Sequence, residues 1–167
     1  RPVEGVRRPR ETKRRAHLVL VVDDQLRAAA GLFEHHRRDL LQPRVDDPTG
    51  LSTPRRWIPR LRKGDPRHSS PVFSVWEGAT LLPRDVFDRI GGWGDPYFYA
   101  HEGIELAWRV WADGRIAWYE GDLVAHHPVI DPARHDVYYR LNARNRVWLA
   151  RRNLPVVLEP VYVGTWV

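Results

Sequence analysis

The run HLVLVV, residues 17–22, constrains this chain more than any other feature. A short, unbroken, Val-rich apolar stretch reads as a strand buried on both faces, the kind found in parallel sheets. Asp23 and Asp24 follow at once. Then QLRAAAGLFEHHRRD, residues 25–39, places apolar residues at helical spacing among good helix formers. LLQPRV, residues 40–45, reads as a second short strand. Strand, helix, strand implies an α/β sheet with helices on its faces.

Downstream, residues 46–70 are rich in Pro, Gly and Arg and predict a long ordered loop anchored by Trp57, Ile58 and Leu61. Loops of that length inside a domain are usually functional or mobile. Residues 72–83, VFSVWEGATLLP, predict a strand in which Gly78 allows close backbone approach. RDVFDRIGG, 84–92, predicts a short helix with a Gly stop. YFYAHEGIELAWRVWADG, 97–114, predicts an aromatic-rich loop, a helix starting near His101 and a stop at Gly114. RIAWYEGDLVAHHP supplies one or two strands, and residues 132–155 a long helix ended by Pro155.

Charge is distributed unevenly. Residues 1–16 carry seven basic and two acidic residues, a net +5 of the chain's +6. They predict a disordered basic tail rather than a uniformly basic binding surface. There is no Cys, hence no disulfide frame, thiol nucleophile or zinc knuckle, which points weakly to a reducing compartment. No apolar run reaches the ~18 residues of a membrane helix. The apolar close, EPVYVGTWV within 156–167, is expected to lead toward a membrane region, and the chain reads as a portion of a longer one. GxGxxG, P-loop and GxSxG patterns are absent, which removes dinucleotide, P-loop and serine-hydrolase readings.

Four groups of residues offer chemistry. Asp23 and Asp24 sit at the carboxyl end of a buried strand, where open α/β sheets bind ligands, and adjacent carboxylates suit a divalent ion. They equally suit an acidic turn with Asp24 as N-cap. Glu102 and Glu105 share a helix face, and Glu105 stands four residues before Arg109, the favourable order for an ion pair. That pairing explains Glu105 structurally. Glu102, at a helix start, is the candidate general base. His126 and His127 are adjacent on a strand and point to opposite faces, so one of them at most enters a given site. HExxH and HxxxH metal spacings are absent. On the last helix, Arg140, Arg144 and Arg151 lie near one stripe, able to clamp phosphate or to lie on a membrane surface.

The ordered series EGATLLPRDVFDRIGGWGDPYFYAHEGIELAWRVWADGRIAWYEGDLVAHHP, residues 77–128, followed by RLNARNRVWLARRNLP at 140–155, resembles the family-two glycosyltransferases of GT-A fold, in the bacterial rhamnosyl- and galactofuranosyl-transferase-like branch. The resemblance covers roughly residues 17–155. It implies a partial GT-A, Rossmann-like mixed sheet flanked by helices, ending in a long C-terminal helix. It further implies an inverting transfer from a nucleotide-sugar donor to a glycan or lipid-linked acceptor. By the same resemblance, Asp23, Asp24 and Arg109 bind the donor diphosphate, and Asp24 and His126 hold a divalent metal, Mg or Mn, with His127 as the alternative ligand. Trp76, Glu77 and Glu105 fall on the acceptor side. The family's base is the second residue of a Glu-Asp pair. Gly103 occupies that position in this chain, so the role passes to Glu102. Gln25 likewise stands where a further Asp is expected.

Three parts follow: a basic tail at 1–16, the C-terminal portion of a GT-A domain at 17–155 without most of the donor-binding strands, and the apolar segment at 156–167. The enzyme reading implies cell-envelope polysaccharide synthesis in the cytoplasm, at the inner face of the plasma membrane, with peripheral membrane contact and no nucleic acid. The competing reading is a non-catalytic basic module that binds anionic membrane or nucleic acid through residues 1–16 and the last helix.

Overall fold

A computed structural model of the chain describes residues 30–33, 38–94, 96–129 and 137–165. The expected strand at 17–22, with Asp23 and Asp24 behind it, and the basic tail lie outside the described residues. What is described is a mixed α/β fold with a three-stranded sheet in the order β1-β3-β2. Strand β1 (Leu40–Asp46) runs parallel to β3 (Ala117–His126), and the two-residue β2 (Ser70–Pro71) pairs antiparallel on the other side of β3.

The second strand expected at 40–45 forms, and nearly every position of β1 is buried, polar ones included, because both faces of the sheet are covered. Leu40 belongs to a core cluster with Val72, Val75, Leu106, Ala107, Val110, Ala117 and Tyr119. Leu41, pointing the other way, packs with Leu123, and Leu32 and Phe33 of a helical stretch at 30–33 close that face. The β1–β3 ladder slips between Pro43 and Arg44: Pro43 pairs with Glu120, Arg44 with Val124. Pro43 has no N–H to give to the ladder, and proline is tolerated inside a sheet at such an irregularity. Gly121 sits in the slip, where a Cβ would fall 2.0 Å from the Arg67 carbonyl oxygen.

Helix α1 (Arg84–Arg89) stops at Gly91 and Gly92, both with positive φ, as the sequence predicts. Helix α2 (Glu102–Ala112) lays Leu106, Ala107 and Val110 against the sheet. Helix α3 (Tyr138–Asn153) ends with Leu154 extended, as the following Pro155 requires. A 3-10 turn (Val156–Leu158) leads into the short α4 (Glu159–Gly164).

Two expectations need correcting. Residues 72–83 do not form a strand. The run is broken by a 3-10 turn at Glu77–Ala79; β2 ends just before it at Pro71, and within it one isolated bridge joins Leu81 to Leu41. The Trp76 ring lies against Gly78, where a Cβ would come within 2.4 Å of it, and so the backbone turns instead of extending. In the loop after β1, Trp57 and Ile58 are anchors, but Leu61 is fully exposed. The side-chain amide of Gln42 fixes the loop instead: its Nε2 donates to the Trp57 carbonyl (2.7 Å) and its Oε1 accepts the Trp76 N–H (2.7 Å).

Candidate active site

The segment entering α2 is held in an unfavourable backbone conformation. Phe98, Ala100 and His101 all have left-handed φ values, 59°, 66° and 72°, although none is Gly. Such conformations cost on the order of 1–3 kcal/mol each and persist only where the surroundings enforce them. Asn145, fully buried on α3, does the enforcing. Its Nδ2 donates to the carbonyls of Tyr97 (2.8 Å), Tyr99 (2.7 Å) and Ala100 (2.8 Å). Arg144 adds bonds to Pro96 and Tyr97. The clamp delivers His101 and Glu102 to the first turn of α2.

Gly103 determines what that turn touches. A Cβ on it would lie 2.0 Å from the Val75 carbonyl oxygen, so only Gly allows the helix start to press against the 72–79 segment. At that contact the Glu77 carboxylate accepts the Gly103 N–H (2.9 Å), capping a backbone donor that the helix leaves unpaired. Glu77 and Glu102 are thereby brought together. Burial, then the neighbouring Glu77 charge, pushes the Glu102 carboxyl up to about 7. Burial also raises Glu77, opposed by the hydrogen bond from Gly103. The Oε2 of Glu102 is buried with no hydrogen-bond partner among the described residues. Both ring nitrogens of buried His101 are likewise unpartnered there. Desolvation, with help from Arg146, lowers His101 to about 4, so its ring is neutral at ordinary pH.

Glu105 takes the opposite part. Its side chain is fully buried and clasps Arg109 through two hydrogen bonds (2.8 and 2.6 Å), as the i, i+4 spacing predicts. Arg109 also donates to the carbonyls of Ile90 and Gly92. Four of the five guanidinium N–H groups are thus used within the fold. Glu105, expected on the acceptor side, and Arg109, expected at the donor diphosphate, here bond each other and the turn after α1. Both groups lock α2 to the turn after α1.

Trp76 is a packing residue too. Its ring stacks on Trp57 at 5.0 Å, and the His127 ring stands edge-on to both, at 4.7 Å from Trp76 and 5.5 Å from Trp57. His126 and His127 do face opposite ways. His127 is the one that enters the aromatic cluster beside the Glu77 segment, whereas His126 Nδ1 lies 3.1 Å from the Asp47 carbonyl.

A divalent metal was expected on Asp24 and His126, but Asp23 and Asp24 lie outside the described residues. Asp46, paired in register with His126, is occupied by Arg44 and Thr53. Among the described residues no group of three His, Asp or Glu side chains is placed to share an ion. The described residues do not complete a metal centre.

Sequence reasoning missed three residues that build this site: Asn145, Glu77 as a partner of Glu102, and His101. The one local signal was Gly103 itself. Glycine in the first turn of a helix costs about 1 kcal/mol against Ala and so points to close backbone contact. Compared with known proteins, the chain matches no family model and no curated sequence.

Proposed function

We propose that this chain is an inverting glycosyltransferase, or the acceptor-side part of one, of GT-A type, acting in cell-envelope polysaccharide synthesis at the inner face of the plasma membrane. The observation that carries the reading is Glu102: a carboxylate at a helix start, tuned to about 7 and with one oxygen unpartnered among the described residues. A base of that proton affinity suits an acceptor hydroxyl at ordinary pH. The ordered resemblance of residues 77–128 supplies the reaction class.

In the proposed step, Glu102 takes the hydroxyl proton of a glycan or lipid-linked acceptor. The acceptor oxygen forms a bond to the anomeric carbon of a nucleotide sugar. The bond from that carbon to the diphosphate oxygen breaks, and its electron pair leaves with the nucleoside diphosphate. The donor-diphosphate and metal roles rest on Asp23 and Asp24. The test is transfer from a panel of nucleotide sugars to glycan and polyprenyl-phosphate-linked acceptors across pH. The rate is expected to rise with pH through a midpoint near 7, because the unprotonated carboxylate is the active form. Absence of transfer from every donor removes the reading.

One observation favours a membrane contact as well. Val156, Val157, Leu158 and Val161 are 47–79% exposed and come a few residues after the exposed Arg151 and Arg152. An apolar ridge beside cations fits the interface of an anionic bilayer. No helix among the described residues is long and apolar enough to cross one. Sedimentation with phosphatidylglycerol vesicles should exceed that with phosphatidylcholine vesicles, fall with salt, and drop in Val157→Asp. Equal sedimentation with both lipids rules the contact out.

A further inference from the structure

We infer that Glu77 and Glu102 act as one dyad in which Glu77 is a positioning residue, carrying a fixed negative charge that sets how strongly Glu102 holds a proton. The role of Glu102 as the base rests on the glycosyl-transfer reading; the dyad itself rests on geometry.

The two carboxyls come from different segments and meet only because Gly103 lets α2 press against the Val75 carbonyl. Their surroundings differ. Glu77 accepts the Gly103 N–H at the positive end of an eleven-residue helix, an arrangement that favours its ionised form. Glu102, one residue earlier, has an oxygen buried without a hydrogen bond among the described residues. Neither carboxylate forms an ion pair there; the eight ion pairs among the described residues leave both out. Two like charges in one site cannot both ionise freely, so although burial raises Glu77 too, the first charge falls on the carboxylate that accepts a backbone N–H at the helix start and the proton stays on the other. The charge therefore sits on Glu77 and the proton on Glu102.

Other titratable groups face the pair. Tyr99, on the clamped loop, feels both carboxylates, and Tyr138 of α3 lies 6.1 Å from its ring. His101 is neutral, with Arg146 of α3 beyond it. Tyr99 is uncharged near neutral pH, since burial and the neighbouring groups push its hydroxyl above its usual range. Glu77 is accordingly the group that tunes Glu102. During transfer the dyad goes from two negative charges to one as the acceptor proton arrives on Glu102, and that proton then passes to water.

The test is carboxyl-carbon NMR on the full chain labelled at glutamate, comparing the parent with Glu77→Gln. Glutamine keeps an oxygen to accept the Gly103 N–H but has no charge. The Glu102 midpoint is expected to fall by about one unit or more while staying above ordinary glutamate, because burial remains. An unmoved midpoint overturns the dyad. If Glu77→Gln does not fold, the parent protein serves instead: Glu77 must ionise while Glu102 still holds its proton, so the carboxyl-carbon midpoint of Glu77 must lie below that of Glu102, and the reverse order overturns the proposal equally. The two readings separate cleanly. A shifted midpoint with no sugar transfer from any donor keeps the dyad and removes the transferase. Transfer with an unmoved midpoint does the reverse.

Discussion

Glu102→Gln is expected to lose roughly 10²–10⁴-fold in transfer rate and yet to unfold later than the parent above pH 7. The rate loss follows from removing the group that accepts the acceptor's proton; the isosteric amide has no comparable basicity. The gain in stability follows from the same carboxyl. Its proton affinity is higher in the folded protein, about 7, than the ordinary 4.5 of an unfolded chain. A raised carboxyl of this kind supports the fold fully below the unfolded value. That support declines as pH rises and is gone above about 7. Glutamine has nothing to ionise, and Glu102 Oε2 has no hydrogen bond among the described residues to lose. At pH 8 the variant should therefore be more stable by roughly 1–2 kcal/mol, discounting for the water that reaches a half-buried carboxyl. At pH 4 the two proteins should be nearly equal. Urea unfolding at both pH values measures this. Equal stability at pH 8 would mean that Glu102 is not perturbed, and the case for a base at this position would go with it.

Gly103→Ala is the second large effect. The added methyl would stand 2.0 Å from the Val75 carbonyl oxygen and 3.1 Å from the Glu77 carboxylate. The main obstacle is backbone, not a flexible side chain, so the helix start must move. Overpacking costs about 1–3 kcal/mol and occasionally more; a backbone obstacle puts this case at the upper end, about 3 kcal/mol. The better helix propensity of alanine returns about 1 kcal/mol of that. Gly164→Ala is the control, since Gly164 ends α4 with nothing within 4 Å of its would-be Cβ. A lower urea midpoint at unchanged slope is expected for Gly103→Ala and no loss for Gly164→Ala. If Gly103→Ala is as stable as the control, the close approach of α2 to Val75 does not hold, and the contact that brings Glu77 to Glu102 falls with it.

Much of the framework was legible in the sequence where local pattern suffices. The short strand at β1, the Gly91–Gly92 stop of α1 and the Glu105–Arg109 pair of α2 all follow from local pattern along one element. The failures share a cause. The 72–83 run is rich in apolar and aromatic residues, but a tryptophan ring folded over Gly78 accompanies a turn there. Leu61 looks like an anchor, yet Gln42, a polar residue inside a strand, holds the loop. Spacing shows that His126 and His127 diverge; it does not show which one meets Trp76. Glu77 and Glu102 are twenty-five positions apart, and no local pattern announces that a glycine brings their segments together. The candidate site is a matter of contact between segments, and sequence periodicity does not encode contact.

The Asn145 clamp also bears on the order in which this protein acquires its parts. Helix α2 can form from its own residues, and its apolar side can dock on the sheet soon after. The loop that aims Glu102 cannot follow at that moment, because its left-handed residues are favourable only once an amide 45 positions downstream has arrived at Ala100. Closing so long a loop is slow relative to local structure. Glu102 is thus expected to reach its place late in folding, when α3 seats, so that a folding chain holds a formed α2 before it holds the clamped loop.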